Sequence, residues 1–147
     1  MMTSNGKYFE SITKNDLCVL SQGAFKKFMK KQYGIEVFRL PDEAYVFDGK
    51  PVVVKILEKK AQSVNGSVET KLWSGPSLKR EYELILGSGF EVHYGFCVND
   101  FLKKKFTSTT DKKYLTLNKI LKEHDITVLF GDDPDYKEQL SLWLDNH

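Results

Sequence analysis

Apolar positions along the chain change period several times, and each change marks an element. Residues 21–33 carry Phe25, Phe28, Met29 and Tyr33 at three- and four-residue spacing, with lysines on the other face. That pattern predicts an amphipathic helix, ended by Gly34. Residues 35–40 alternate and predict a strand running into Pro41, whose missing N–H suits a strand end. Residues 44–47 and 51–57 are short apolar runs, the second rich in β-branched side chains. Asp48-Gly49 between them predicts a β-hairpin. Pro76 opens a second helix, with Ser74 as its cap, Gly87 as its stop, and Leu78, Tyr82, Ile85 and Leu86 on its buried face. Phe90–Val98 alternates as a further strand, and Asp100–Phe106 reads as a short helix. Residues 114–123 follow as a helix, Ile126–Phe130 as a strand, and residues 135–144 as a terminal helix bearing Tyr136, Leu140, Trp143 and Leu144. The stretch 6–12 is expected to be helical, and residues 63–75, which lack periodicity, form an irregular loop. Strands interspersed with helices predict an α/β (α+β) fold, a small mixed β-sheet flanked by helices.

At 147 residues and 41% hydrophobic, the chain reads as one domain spanning 1–147. Its core is expected over about residues 5–105, with an acidic C-terminal extension over about 114–147. No apolar run approaches a membrane span, and MMTSNGKYFE lacks the basic-then-apolar layout of a signal peptide, so a cytoplasmic, soluble protein is expected. Cys18 and Cys97 lie far apart in apolar surroundings, which suits reduced thiols rather than a disulfide. Charge is unevenly spread: residues 1–122 hold 21 basic and 13 acidic side chains, whereas 123–147 hold one lysine and seven acids. A basic body is what phosphate binding needs.

The open ends of the hairpin carry the chemistry. Antiparallel pairing returns Asp42 and Glu43 to the neighbourhood of Glu58 and Lys60, and two carboxylates beside a lysine suit a hard divalent cation. Which acid shares the face of Glu58 depends on the turn. A two-residue turn selects Glu43, and a connection one residue longer selects Asp42.

Pro41-Asp42, followed sixteen residues later by Glu58-Lys59-Lys60, resembles the PD-(D/E)xK signature of the restriction-endonuclease-like nucleases. The order of leading helix, hairpin, following helix and strand matches that family's core over about residues 5–105. The run 55–83 is in addition similar to type II restriction endonucleases of microbes and their large DNA viruses. The resemblance implies a Mg²⁺-dependent endodeoxyribonuclease, with Mn²⁺ able to substitute. It implies Asp42 and Glu58 as metal ligands with the carbonyl of Lys59, and Lys60 positioning or deprotonating the attacking water. It favours Asp42, the acid after proline, over Glu43. An acid on the family's first helix selects Glu10. Gln62 extends the motif to ExKxQ and can hydrogen-bond a base edge, a phosphate or the metal's water.

Double-stranded DNA is the implied partner, and a homodimer would cut both strands. The loop at 63–75 offers Ser67, Thr70 and Lys71 to phosphates and Trp73 to a sugar or base. Lys79 and Arg80 stand in the first turn of the next helix, where the helix dipole does not favour cations and an approaching phosphate would explain them. Two other readings stand beside this one: a structure-specific nuclease on the same fold, such as a junction resolvase or repair enzyme, and a non-catalytic nucleic-acid-binding or assembly protein.

Overall fold

The structure is a computed structural model that describes residues 2–4, 7–12, 17–62 and 68–146, with side chains over 17–62 and 69–146. The chain divides into two interleaved compact units, Met1–Glu58 with Lys79–His93, and Lys59–Leu78 with Tyr94–His147.

In the first unit, β1 (Met2–Ser4), β2 (Lys7–Ile12), β3 (Leu17–Ser21), β4 (Glu43–Phe47) and residues 52–58 of β5 (Val52–Lys60) form a continuous antiparallel ladder. Two expectations are corrected here. Residues 7–12 are a strand rather than a helix, because partners on both sides satisfy backbone groups that so short a helix would leave open, and Tyr, Phe and Ile favour a pleated ladder. Residues 35–41 are not a strand. Both edges of β4 are taken, one by β5 and the other by β3, a strand the periodicity did not announce. The segment is held instead by Arg39, whose Nε and Nη2 donate to the two carboxylate oxygens of Glu81 at 2.6 and 3.2 Å.

Between β3 and β4 runs α1 (Gln22–Tyr33), with Phe25 and Met29 fully buried. Gly34 ends it in the left-handed region at φ 69°, its N–H returning to the Lys30 carbonyl at 3.0 Å. Ala44, Val54 and Ile56 from the ladder complete the apolar interior, together with Tyr82 and Leu86 of α3 (Gly75–Leu86).

The second unit is built on a parallel pair. Residues 94–98 of β6 (Phe90–Val98) run beside β7 (Ile126–Phe130), from Tyr94 opposite Ile126 to Val98 opposite Phe130. The intervening chain forms α4 (Asp100–Phe106) and α5 (Lys112–Glu123), whose first turns are capped by the side chains of Asn99 and Asp111. Trp143 of the terminal helix α6 (Tyr136–Asp145) lies on β6 where Gly95 leaves room, since a Cβ there would sit 3.2 Å from the indole.

A third correction falls in this unit. Residues 68–73, expected as loop, form the short helix α2 (Val68–Trp73). Leu72 is fully buried, and Glu69 is gripped by Lys113 at 2.9 Å and by the Tyr114 hydroxyl at 3.3 Å. Burial of one leucine and two polar ties override a sequence with no helical period. Ser74 does not cap α3: its hydroxyl donates back to the Thr70 carbonyl at 3.1 Å and closes α2.

Antiparallel and parallel ladders together make a mixed β-sheet flanked by helices, an α+β fold. Among the described residues no helix is long and apolar enough to cross a membrane. Neither cysteine forms a disulfide; Cys97 is buried and Cys18 half-buried.

Candidate functional site

The register of β4 against β5 decides which acid faces which. Phe47 pairs with Val53 and Glu43 with Leu57, so the connection is the five residues 48–52 rather than a two-residue turn. Ala44, Val46, Val54 and Ile56 share one face, which alternation extends to Glu58; the pairing ends at Glu43 and Leu57, and Asp42 stands at a bend one residue before β4, where one further step of the same register would set it opposite Glu58. Glu43 is on the opposite face, where its Oε1 accepts from the Tyr45 hydroxyl at 2.7 Å. That face also carries Lys55, which is fully buried.

Asp42 is held from two directions. Its Oδ1 accepts from Nε2 of Gln22, the first residue of α1, at 3.4 Å. The Arg39–Glu81 fork anchors the chain three residues before it. Tyr82 is fully buried on α3. Its hydroxyl is held protonated far above the ordinary tyrosine range, first by burial and next by the charge of Glu58, with Glu81 and Asp42 adding and Arg39 opposing. Neither Gln22 nor Tyr82 was legible as a site residue: Gln22 is one polar residue at a helix start, and Tyr82 belongs to an apolar helix face.

Lys60 follows Glu58 by two positions on the same strand, both half-buried, with Lys59 exposed between them. Gln62 is 7% exposed. Its main chain is clasped by one side chain, Asn99, whose Oδ1 accepts from the Gln62 N–H at 3.4 Å and whose Nδ2 donates to the Gln62 carbonyl at 3.0 Å. The same Oδ1 caps α4 through the Leu102 N–H at 3.3 Å, so the end of β5 and the start of α4 share an anchor. The Gln62 Oε1 is buried and accepts no hydrogen bond among the described residues.

The other sequence-predicted residues are dispersed. Glu10 pairs through its backbone with Val19 within β2; its side chain and the whole of Ser67 lie outside the described residues. Thr70 and Lys71 are exposed and Trp73 half-buried on α2 in the second unit. Lys79 and Arg80 belong to the first unit, and Arg80 pairs with Glu83 at 3.2 Å.

Among the described residues no three His, Cys, Asp or Glu side chains converge as a metal cage. A Mg²⁺ site asks for less, since one or two carboxylates suffice when waters and substrate oxygens fill the remaining positions. The carboxylates of Asp42, one residue before the last β4–β5 pair, and Glu58, one residue beyond it, are hard oxygen donors of the kind such a site uses. Comparison with protein-family models, with curated proteins and with solved structures finds no match to this chain.

Proposed function

We propose that this chain is a Mg²⁺-dependent endodeoxyribonuclease of the PD-(D/E)xK kind, cutting double-stranded DNA at specific sequences as a homodimer. The observation that carries the reading is the β4–β5 register, which ends with Glu43 opposite Leu57 and so makes Asp42 and Glu58 the next residue on either chain.

Asp42 and Glu58 would hold the cation, with the Lys59 carbonyl as a third oxygen. Bound there, Mg²⁺ supplies Lewis-acid stabilisation of charge on the phosphate oxygens and a more acidic water. Gln22 donates to Asp42, and the Arg39–Glu81 fork ties the chain three residues before it. Lys60 orients the attacking water through its ammonium and offsets the charge that grows as a P–O bond forms and the opposite P–O bond breaks. The water's proton leaves to solvent, and the departing oxygen takes one up. Mn²⁺ can substitute, being similarly hard.

The test is a digest of linear plasmid DNA and of a branched duplex in Mg²⁺, beside Glu58→Ala, Lys60→Ala and an EDTA control. Discrete plasmid fragments that vanish in all three controls are expected. Cleavage of the branched duplex alone would replace sequence specificity by shape recognition. Intact DNA in every lane would overturn the catalytic reading and leave a binding protein.

A further inference from the structure

Within the second unit a cavity of about 300 Å³ opens at the carboxyl ends of three strands. Lys59 and Lys60 border it from the end of β5, Asn99 from just past β6, Asp132 from just past β7, and Tyr136 from the first turn of α6. Its floor is small and apolar, where Gly131 packs against the Cys97 thiol. Ligands of sheets with parallel strands bind outside carboxyl strand ends, and the volume lies at the small end of the range for ligand pockets.

The signs of the wall groups narrow the chemistry. Two ammonium groups repel a lone cation, and the Asp132 carboxylate repels a lone anion. A ligand with an anionic end and a hydrogen-bond-donating end satisfies both. Asp132 is fixed in direction, its Oδ2 accepting the Asp100 N–H at 2.9 Å, and an ionised carboxylate has capacity for further donors. The lining Asn99 is itself held, its side chain clasping the Gln62 main chain at 3.4 and 3.0 Å. Tyr136 adds an aromatic ring, a surface for a planar heterocycle.

We propose that this cavity binds one nucleotide, its phosphate against Lys59 and Lys60, its base at Tyr136 with an exocyclic amino group donating to Asp132. The nucleotide has two possible sources, a free mononucleotide or a residue unstacked from a DNA strand. The strand-borne source rests on the nuclease reading; the free one does not.

The experiment titrates the full chain in EDTA with dAMP, dCMP, dGMP and dTMP, and with inorganic phosphate and the nucleosides, followed by calorimetry and amide NMR. Saturable binding is expected, with shifts at 59–62, 97–99 and 131–136. The mononucleotide dTMP, without an exocyclic amino group, should bind most weakly, and phosphate or nucleoside alone about tenfold or more below the whole nucleotide. Asp132→Asn and Tyr136→Leu should each weaken binding about tenfold. Lys59→Gln, at an exposed side chain, serves in place of any variant that fails to fold.

No saturation by about 10 mM for all four nucleotides, or affinities unchanged in the folded variants, would overturn the proposal. A duplex carrying 2-aminopurine separates the sources. A fluorescence rise lost in Tyr136→Leu marks the strand-borne nucleotide, and mononucleotide binding without a rise marks the free one. Glu58→Ala should abolish cleavage and keep nucleotide binding. Binding without any cleavage by wild type therefore sinks only the nuclease reading, and cleavage without binding sinks only this one.

Discussion

Gly131→Ala tests the tightest packing beside the cavity. A Cβ built at Gly131 would lie 2.7 Å from the Cys97 Sγ, about 1 Å inside the optimum for non-bonded heavy atoms. The thiol cannot retreat as the tip of a long side chain would, because Sγ is one bond from Cβ and Cys97 is only 9% exposed. The backbone is pinned as well, the Gly131 N–H donating to the Val98 carbonyl at 2.8 Å. Overpacking of this kind costs about 1–3 kcal/mol, and at this chain length each kcal/mol lowers Tm by about 2–4 °C. Thermal and urea melts of wild type, Gly131→Ala, Cys97→Ala and the double variant form a cycle. The double variant should be more stable than the sum of the two single losses predicts, by about 1 kcal/mol or more, because removing Sγ gives the new methyl its space. Additive losses, or a Gly131→Ala protein that melts with wild type, would refute the packing argument.

Leu72→Ala should cost about 2–5 kcal/mol in a urea melt and speed proteolysis near α2, since this fully buried side chain docks that short helix. Asn99→Ala should cost about 1–2 kcal/mol by loss of the α4 cap and both ties to Gln62; Asn99→Asp should recover the cap and the tie to the Gln62 N–H but not the donation to the Gln62 carbonyl. Burial, with the charge of Glu69 second, pushes Tyr114 from 10.0 up to about 12. Its contribution to stability is full below the ordinary tyrosine value and lost as pH rises through the raised one, so the alkaline limb of a stability–pH curve should flatten in Tyr114→Phe. The Lys103–Asp133 bond at 2.7 Å holds the aspartate below its ordinary value and the lysine above its own. Stability from Asp133 is present above the ordinary aspartate range and falls away as pH drops through the lowered value, whereas that from Lys103 is lost only as pH rises through the raised lysine value. Asp133→Asn should flatten both limbs in melts across pH.

Elements with their own period were legible in the chain. Phe25, Met29 and the terminating Gly34 define α1 by local chemistry, and Phe90–Val98, Asp100–Phe106 and Ile126–Phe130 lie where alternation and apolar spacing put them. The chemistry of the candidate site was equally legible, because acids, proline and lysine at fixed spacing are properties of the chain. Partnership was not. Residues 7–12 became a strand because neighbours completed their hydrogen bonds, and 35–41 lost their strand because β3 already held the edge of β4. The register that puts Glu43 on the face away from Glu58 follows from the five residues between Phe47 and Val53, a parity no composition reveals, and one residue more or less would have delivered Glu43 instead. The sequence by itself determined which residue types stand at the hairpin ends and which segments are amphipathic, since both depend on near neighbours. Only the tertiary structure decided the register, the burial of Tyr82 near Asp42 and Glu58, and the cavity at three strand ends, because each depends on groups that folding alone brings together.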